Sequence, residues 1–220
     1  MSTPVKRTYA STLRAEQAKA TRRAIVDAAA RLFVERGYGE TTIDAIAAEA
    51  GVSRKTVFTS VGGKVEALKL ARDWAIVGDD EPVPMLERPA IKAAAQEKDA
   101  RKVVAGYVQQ YIDSARRVAP IHHVIESAKG LDADVLALSE EGWAQRRFGM
   151  GMFAAQVGNL GALPDGMTVE TAGDIMWHFN DPETFYKFVI ARGWPIEQFR
   201  TWLRETLLQQ LIRKNYRPAK

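Results

Sequence analysis

The chain has 220 residues, 46% of them hydrophobic and 26% charged, enough for one large domain or a small one joined to a larger. It has no cysteine, which excludes disulfide frameworks, thiolate nucleophiles and Cys-bearing zinc sites and fits a reducing cytoplasm. No apolar run approaches the ~18–20 residues that span a bilayer, and the N-terminus lacks the apolar block of a secretory signal, so the expected location is cytoplasmic with no membrane partner. The net charge of +4 is unevenly spread: residues 1–64 hold 11 Lys and Arg against 6 Asp and Glu, while residues 65–220 hold 20 against 21. A basic segment confined to the first third favours a polyanion, either nucleic acid or an anionic membrane surface.

Residues 1–14 mix Pro, Ser, Thr and basic side chains without a period and read as a flexible basic arm. From about Ala15, Ile25, Ala28, Ala29, Leu32 and Phe33 recur at helical spacing up to Gly37, and Gly37-Tyr38-Gly39 is a stop. Thr41 is expected to begin a second helix, with Asp44 three residues on as a weak capping box, and Gly51 to close it. Ser53 is a good N-cap for a third helix over about Arg54–Ser60, Gly62-Gly63 breaks it, and a fourth helix runs from near Lys64 to about Gly78. Asp79–Pro89 has three prolines and five charges and reads as an irregular linker. Helical patterns follow over Ala100–Val118, from Pro120 to about Lys129, over about Asp132–Leu160, over Thr168–Asn180 and Asp181–Arg192, and over Pro195–Lys214. The expected fold is all-α, with about nine helices and no strand.

The most specific stretch is residues 41–64, TTIDAIAAEAGVSRKTVFTSVGGK. Two short helices about a tight glycine turn, the second with a polar first turn, make a helix-turn-helix with an interhelical angle of ~90–120°. Ala47 is small because the second helix crosses close above it. Gly51 stands where a positive φ is often needed, and Ile46, Ala50, Val52 and Val57 form the small core of the corner. Arg54, Lys55, Thr56 and Thr59 are then left projecting from the second helix. In a major groove such side chains meet guanine O6 and N7 or a thymine methyl, while the helix N-terminus at Ser53 favours phosphate.

These residues also resemble a family. The basic arm, Arg22-Arg23-x-Ile25-x-x-Ala28-x-x-x-Phe33-x-x-x-Gly37-Tyr38, then Thr42-Ile43-x-x-Ile46-Ala47-x-x-Ala50-Gly51-Val52-Ser53, then Phe58 and Gly62-x-Lys64-x-x-Leu68, are similar to the N-terminal domain of TetR-type transcriptional regulators. The resemblance covers about residues 20–70. It implies a three-helix DNA-binding domain over residues 15–64, joined to a larger helical effector-binding and dimerisation domain over 65–220. The implied partners are double-stranded operator DNA, a second copy of the chain as homodimer and an unidentified small-molecule effector; no cofactor is implied. Two positions depart from the pattern. Phe58 replaces a common Tyr whose hydroxyl helps hold phosphate, and Val61 replaces a common aromatic. Phe58 is therefore assigned to packing first and backbone contact second, and phosphate anchoring to Lys64, Thr42 and the helix N-termini.

In the larger part, Trp74, Tyr107, Tyr111, Trp143, Phe148, Phe153 and Trp177 lie at helical spacing. The resemblance implies that some line a cavity for an apolar or aromatic effector; an aromatic core without ligand explains the same pattern. Arg146 and Arg147 read as solvated helix charges, one of which could meet an anionic ligand, and Arg147 joins the candidate effector set with Trp74, Tyr107, Tyr111, Trp143 and Trp177. His122 and His123 are adjacent on a helix and point about 100° apart, which disfavours a metal site. The last helices are apolar over more than half their circumference, which suggests a dimer face through Phe185, Val189, Trp202, Leu203, Leu207 and Leu211; burial within the chain is the alternative. No Gly-rich phosphate loop, nucleophile elbow or paired-carboxylate motif supports an enzyme, and Glu140 and Glu141 point apart. The remaining alternative is an all-α adaptor whose helical part binds another protein while DNA binding is weak.

Overall fold

The computed structural model describes the backbone of residues 5–218 and the side chains of residues 13–218. Among the described residues it is all-α, with ten α-helices and no strand. The first four are α1 (Val5–Glu40), α2 (Ile43–Glu49), α3 (Arg54–Val61) and α4 (Lys64–Val77). Next come α5 (Pro89–Ala95), α6 (Ala100–Ala128) and α7 (Ala133–Asn159). The chain ends with α8 (Val169–Phe179), α9 (Pro182–Phe185, continued by a π-turn over Tyr186–Ala191) and α10 (Ile196–Leu211). No helix among the described residues is long and apolar enough to cross a membrane.

Three expectations need correction. The first helix begins at Val5 rather than near Ala15, so residues 5–14 of the expected arm are helical; residues 1–4 lie outside the described residues. The expected break before Pro120 is absent, because α6 runs through that proline. One i→i−4 bond is lost there, but Val118, Ala119, Ile121 and His122 around it are all buried and hold the helix together. The short α5 was not anticipated: it buries none of its residues and leaves no apolar period, and Pro89 starts it in the first turn, where a missing N–H costs little.

Two hydrophobic cores organise these helices. The lower one joins Ile25, Leu32 and Phe33 of α1 to Ile46 of α2, Val57 of α3 and Leu68 of α4, and closes with Ile121 and Ile125 of α6 and Val135 and Leu138 of α7. The upper one joins Val104, Tyr107, Val108 and Ile112 of α6 to Met150, Ala154 and Val157 of α7, with Met176, Phe185, Phe199, Leu203 and Leu207 from the C-terminal helices. Helices α6 and α7 therefore run through both cores, and Pro120 stands where α6 passes from one to the other. The lower core also crosses the expected domain boundary at residues 64/65, so the first three helices rest directly on the larger part.

The upper core overturns most of the expected dimer face. Phe185, Leu203, Leu207 and Leu211 are at most 2% exposed and pack inside their own chain, so no partner can reach them. The apolar circumference of the last helices is wide because α10 is covered on two sides. Helix α6 covers one side, and the other meets a ring cluster in which Phe188 stands 4.7 Å from Trp194 and 4.9 Å from Trp202. Val189 and Trp202, the other two candidates, are half-buried against this core.

Candidate nucleic-acid interface

The corner of α2 and α3 is fixed by local chemistry. Thr42, not Thr41, is the N-cap of α2, accepting the Ala45 N–H at 3.1 Å. Thr41 is fully buried, and its hydroxyl lies 3.1 Å from the Leu32 carbonyl and 2.8 Å from that of Gly37, two carbonyls at the end of α1. Helix α1 loses helical geometry at Gly37 (φ 79°, ψ 171°). After α2 the chain reverses at Gly51 (φ 68°), a left-handed conformation that is cheap only for glycine, and the Val52 N–H closes the turn on the Ala47 carbonyl at 2.9 Å. Ser53 then caps α3, accepting the Thr56 N–H at 3.1 Å. Val57 and Val61 face inward; Ser53, Arg54, Lys55, Phe58 and Thr59 are exposed.

The exposed residues fall into two groups. Lys55 and Thr59, one turn apart, look away from the core, and the Thr59 hydroxyl donates to the Lys55 carbonyl at 3.1 Å, which leaves its methyl outward. Arg54 and Phe58 form the flank beside α2. There the Arg54 guanidinium donates to Asp44 at 2.6 Å and its carbon stands 5.5 Å from the centre of the Phe58 ring. Thr56 is half-buried, with its hydroxyl 2.8 Å from that of Ser53. Phe58 is 46% exposed, so its expected first role in packing is wrong: Val57 and Val61 fill the core, and the ring lies outside it. Asp44 was expected in a capping box, and instead it is the ion-pair partner of Arg54.

Lys64 is not a free cation. Its ammonium lies 4.0 Å from the centre of the Tyr38 ring and donates to the Gly39 carbonyl at 3.4 Å. Burial lowers its pKa, against the opposing pull of Asp132 and Glu40. The Tyr38 hydroxyl in turn donates to Asp132 at 2.7 Å, and Asp132 caps α7 by accepting the Asp134 N–H at 2.9 Å. The hydrogen bond from Tyr38 holds the Asp132 carboxyl below its ordinary range, while burial, seconded by Asp132, raises the Tyr38 phenol. Nothing in the spacing of residues 38, 64 and 132 announced this link; three distant segments meet only in the fold.

The expected effector residues do not share one site. Trp74 packs on the lower core. Tyr107 and Tyr111 are buried in the upper core, the first accepting from Asn180 at 3.0 Å and the second donating to the Asp181 carbonyl at 2.9 Å. Trp143 lies under the Lys129 ammonium, 4.7 Å from its ring centre, and Trp177 is half-buried on α8. Arg147 is exposed and stands 3.6 Å from Asp174, on the outer face of α7, away from the core. The arginine turned inward is its neighbour Arg146.

A capped polar helix, set by a positive-φ glycine turn across a shorter helix and presenting basic side chains outward, defines a helix-turn-helix protein. Residues 25–66 match the family model described as bacterial regulatory proteins, tetR family. Over 55 residues the chain is 46% identical to the uncharacterized HTH-type transcriptional regulator TtgW of Pseudomonas putida, an alignment spanning 25% of this chain and 41% of that one. A putative transcriptional regulator from Saccharomonospora viridis, in complex with choline, superposes with a TM-score of 0.66 at 18% identity, covering 88% of this chain and 98% of that one. The repressor SmeT of Stenotrophomonas maltophilia, in its triclosan complex, superposes at 0.65 and 18% identity, covering 91% and 96%. The local identity fixes the reading head, and the two structures show that the fold extends over nearly the whole chain. Residues 25–66 thus form a helix-turn-helix domain of the tetR family type, on a chain whose overall fold is that of these two structures.

Proposed function

We propose that this chain is a dimeric transcriptional regulator, a repressor that leaves its operator DNA when a small effector binds the larger part of the chain. The observation that carries the reading is the outward face of α3: Lys55 and Thr59 stand exposed beside Arg54 and Phe58, on a helix whose opposite side is fully packed. We place the reading head at residues 15–64, with base contacts from Arg54, Lys55, Thr56 and Thr59 and phosphate contacts from Thr42, Ser53, Lys64 and the helix N-termini. The remainder, residues 65–220, senses and dimerises. Two relatives of the same fold hold choline and triclosan, which supports a small-molecule role for this part.

A twofold operator needs a twofold protein. With the C-terminal leucines inside, the large apolar side chains left outside on the upper part include Phe148 (66% exposed) and Met152 (45%) of α7. They flank an open groove of about 550 Å³ floored by Ala144, Gly151 and Ala155. Large side chains next to small ones on one helix are self-complementary about a twofold axis, so we assign this face, rather than α10, to the second copy.

Selection of bound genomic fragments followed by electrophoretic shift over a range of salt tests the function. Sequence-selective, salt-sensitive binding is expected; its absence at every fragment overturns the reading and leaves the adaptor alternative. Deleting residues 1–64 is a poor discriminator, because it would strip Leu32 and Phe33 from the lower face of α6. Lys55→Ala with Thr59→Ala leaves the core intact and separates the two.

A further inference from the structure

Between the two cores lies a layer of charge contributed by α4, α6, α7 and the start of α9. Its carboxylates are matched to partners. Asp73 takes the Arg72 guanidinium at 2.7 Å, Glu141 takes Lys69 and, at 2.9 Å, Gln145, and Glu126 takes Lys129 and Ser139, each at 2.6 Å. Asp181 lies 3.3 Å from the His122 imidazole and accepts the Glu183 N–H at 3.0 Å. Arg72, itself buried, completes its set by donating to the Leu138 carbonyl at 2.9 Å.

Arg146 is the exception. Its Nε is buried and has no hydrogen-bond partner, and no hydrogen bond or ion pair joins the rest of its guanidinium to any described residue. It faces Asp181, Glu126, Tyr111 and Arg72. A Cβ placed on Gly142, one turn before it on α7, would meet the nearest nitrogens of Arg72 and Arg146 at 3.4 and 3.8 Å, so two guanidinium groups converge over that glycine. Two further buried nitrogens without a hydrogen-bond partner lie in or beside this layer, His122 Nε2 and the Trp177 indole N–H. Helices α7 and α8 pack antiparallel, with Gly151 against Gly173 and Arg147 beside Asp174, and that register brings Trp177 alongside the turn that carries Arg146. Burying a cation without an acceptor is costly, and a guanidinium fork matches a carboxylate with two parallel bonds.

We infer that Arg146 is the receptor for the carboxylate of an organic acid whose apolar body lies toward Met150 and Phe153, one and two turns further along the inner line of α7. The inference rests on the effector reading above and names the ligand's class. A carboxylate offers the fork two charged acceptors where a primary amide offers one neutral carbonyl, while Asp181 and Glu126, which already face Arg146, oppose the incoming anion and limit its affinity. Burial, the largest influence on the Arg146 guanidinium, lowers its pKa, and the charges of Asp181 and Glu126 oppose that shift.

The test uses the full chain without DNA. Straight-chain carboxylates of graded length and benzoate are titrated calorimetrically, each against its own primary amide. At least one acid is expected to bind roughly tenfold or more tightly than its amide. Arg146→Gln should remove that preference, Arg146→Lys should keep part of it, and Arg147→Gln should leave it unchanged, with circular dichroism confirming that each variant folds. Equal binding of acids and amides, no binding by any acid in the series, or a preference that survives in Arg146→Gln would overturn the inference. A carboxylate that binds through Arg146 yet leaves DNA affinity unchanged would defeat the effector reading while the site stands.

Discussion

Asp44 and Arg54 set up a competition that one substitution resolves. Their ion pair is short, but the side chains are 68% (Asp44) and 58% (Arg54) exposed, and pairs of that kind contribute about 0.2–1 kcal/mol. A bidentate contact from Arg54 to guanine discriminates by about 1–3 kcal/mol, so base contact outweighs the pair and Arg54 can turn to DNA. Asp44→Ala then releases a bond that DNA must otherwise break and removes a negative charge from the interface. Affinity should rise by no more than about fivefold, which corresponds to about 1 kcal/mol. The gain should be similar for cognate and unrelated sequences, with thermal stability nearly unchanged, because Thr42 rather than Asp44 caps α2. Arg54→Ala should instead lose about 1–3 kcal/mol of preference at one base pair. Fluorescence anisotropy on a selected site and a scrambled duplex, at two salt concentrations, measures both. A fall in cognate affinity for Asp44→Ala would refute the reasoning, since it would mean that Asp44 aims Arg54 at its base rather than restraining it.

Three further outcomes are expected. Replacing thymine by uracil, one position at a time, in a selected site should weaken the wild type at a position contacted by Thr59 and leave Thr59→Ala indifferent there, because the 5-methyl is the apolar group a major groove offers. Phe148→Glu should give a monomer by light scattering with loss of DNA binding, whereas Leu203→Ala should cost about 2–5 kcal/mol in chemical denaturation and leave the oligomeric state intact. Burial pushes the Asp181 carboxyl up, but the His122 imidazole 3.3 Å away, the hydrogen bond from the Glu183 N–H and the charge of Arg146 outweigh it and hold it down at about 2. A depressed carboxyl adds stability above its unfolded pKa of about 3.9 and loses it as pH falls toward 2, so Asp181→Asn should flatten the stability curve between about pH 4 and 2, by about 1 kcal/mol after solvent screening.

The reading head was legible because its signals are local. Gly51, Ser53 and the inward positions Ile46 and Val57 act within a dozen residues of one another, and the glycine turn and the α3 cap follow from their chemistry alone. The same locality misleads at Phe58: aromaticity suggests packing, but its position, one turn from Arg54 and off the Val57–Val61 line, decides exposure. In the larger part the apolar period found the helices but not their neighbours. Leu203 and Leu207 look the same in sequence whether α6 or a second copy covers them. Arg146 and Arg147 differ only in which side of α7 they occupy, a matter of phase that neighbouring helices settle.

In the proposed mechanism α4 is the natural lever, since it begins at the reading head and ends in the larger part. The contacts of α4 show what would move it. Its last carbonyls, Ala75 and Ile76, accept from Arg117 at 2.9 and 3.2 Å, and Ile76 also accepts from Ser114 at 3.1 Å, so its far end is tied to α6. Its middle is tied to α7 through Arg72 on the Leu138 carbonyl and Lys69 on Glu141. Arg146 lies little more than one turn along α7 from Glu141 and faces Arg72 across Gly142. An anion drawn to Arg146 therefore acts on Arg72 as well, and a shift of α7 carries α4 with it. At its N-terminus α7 also holds Tyr38 through Asp132, and Tyr38 lies under Lys64, the first residue of α4. Displacing α7 thus pulls on α4 at two points, one beside the ligand and one beside the recognition corner. Tied at both, α4 could not swing while α7 stays still, so α7 is the element whose position the effector has to bias.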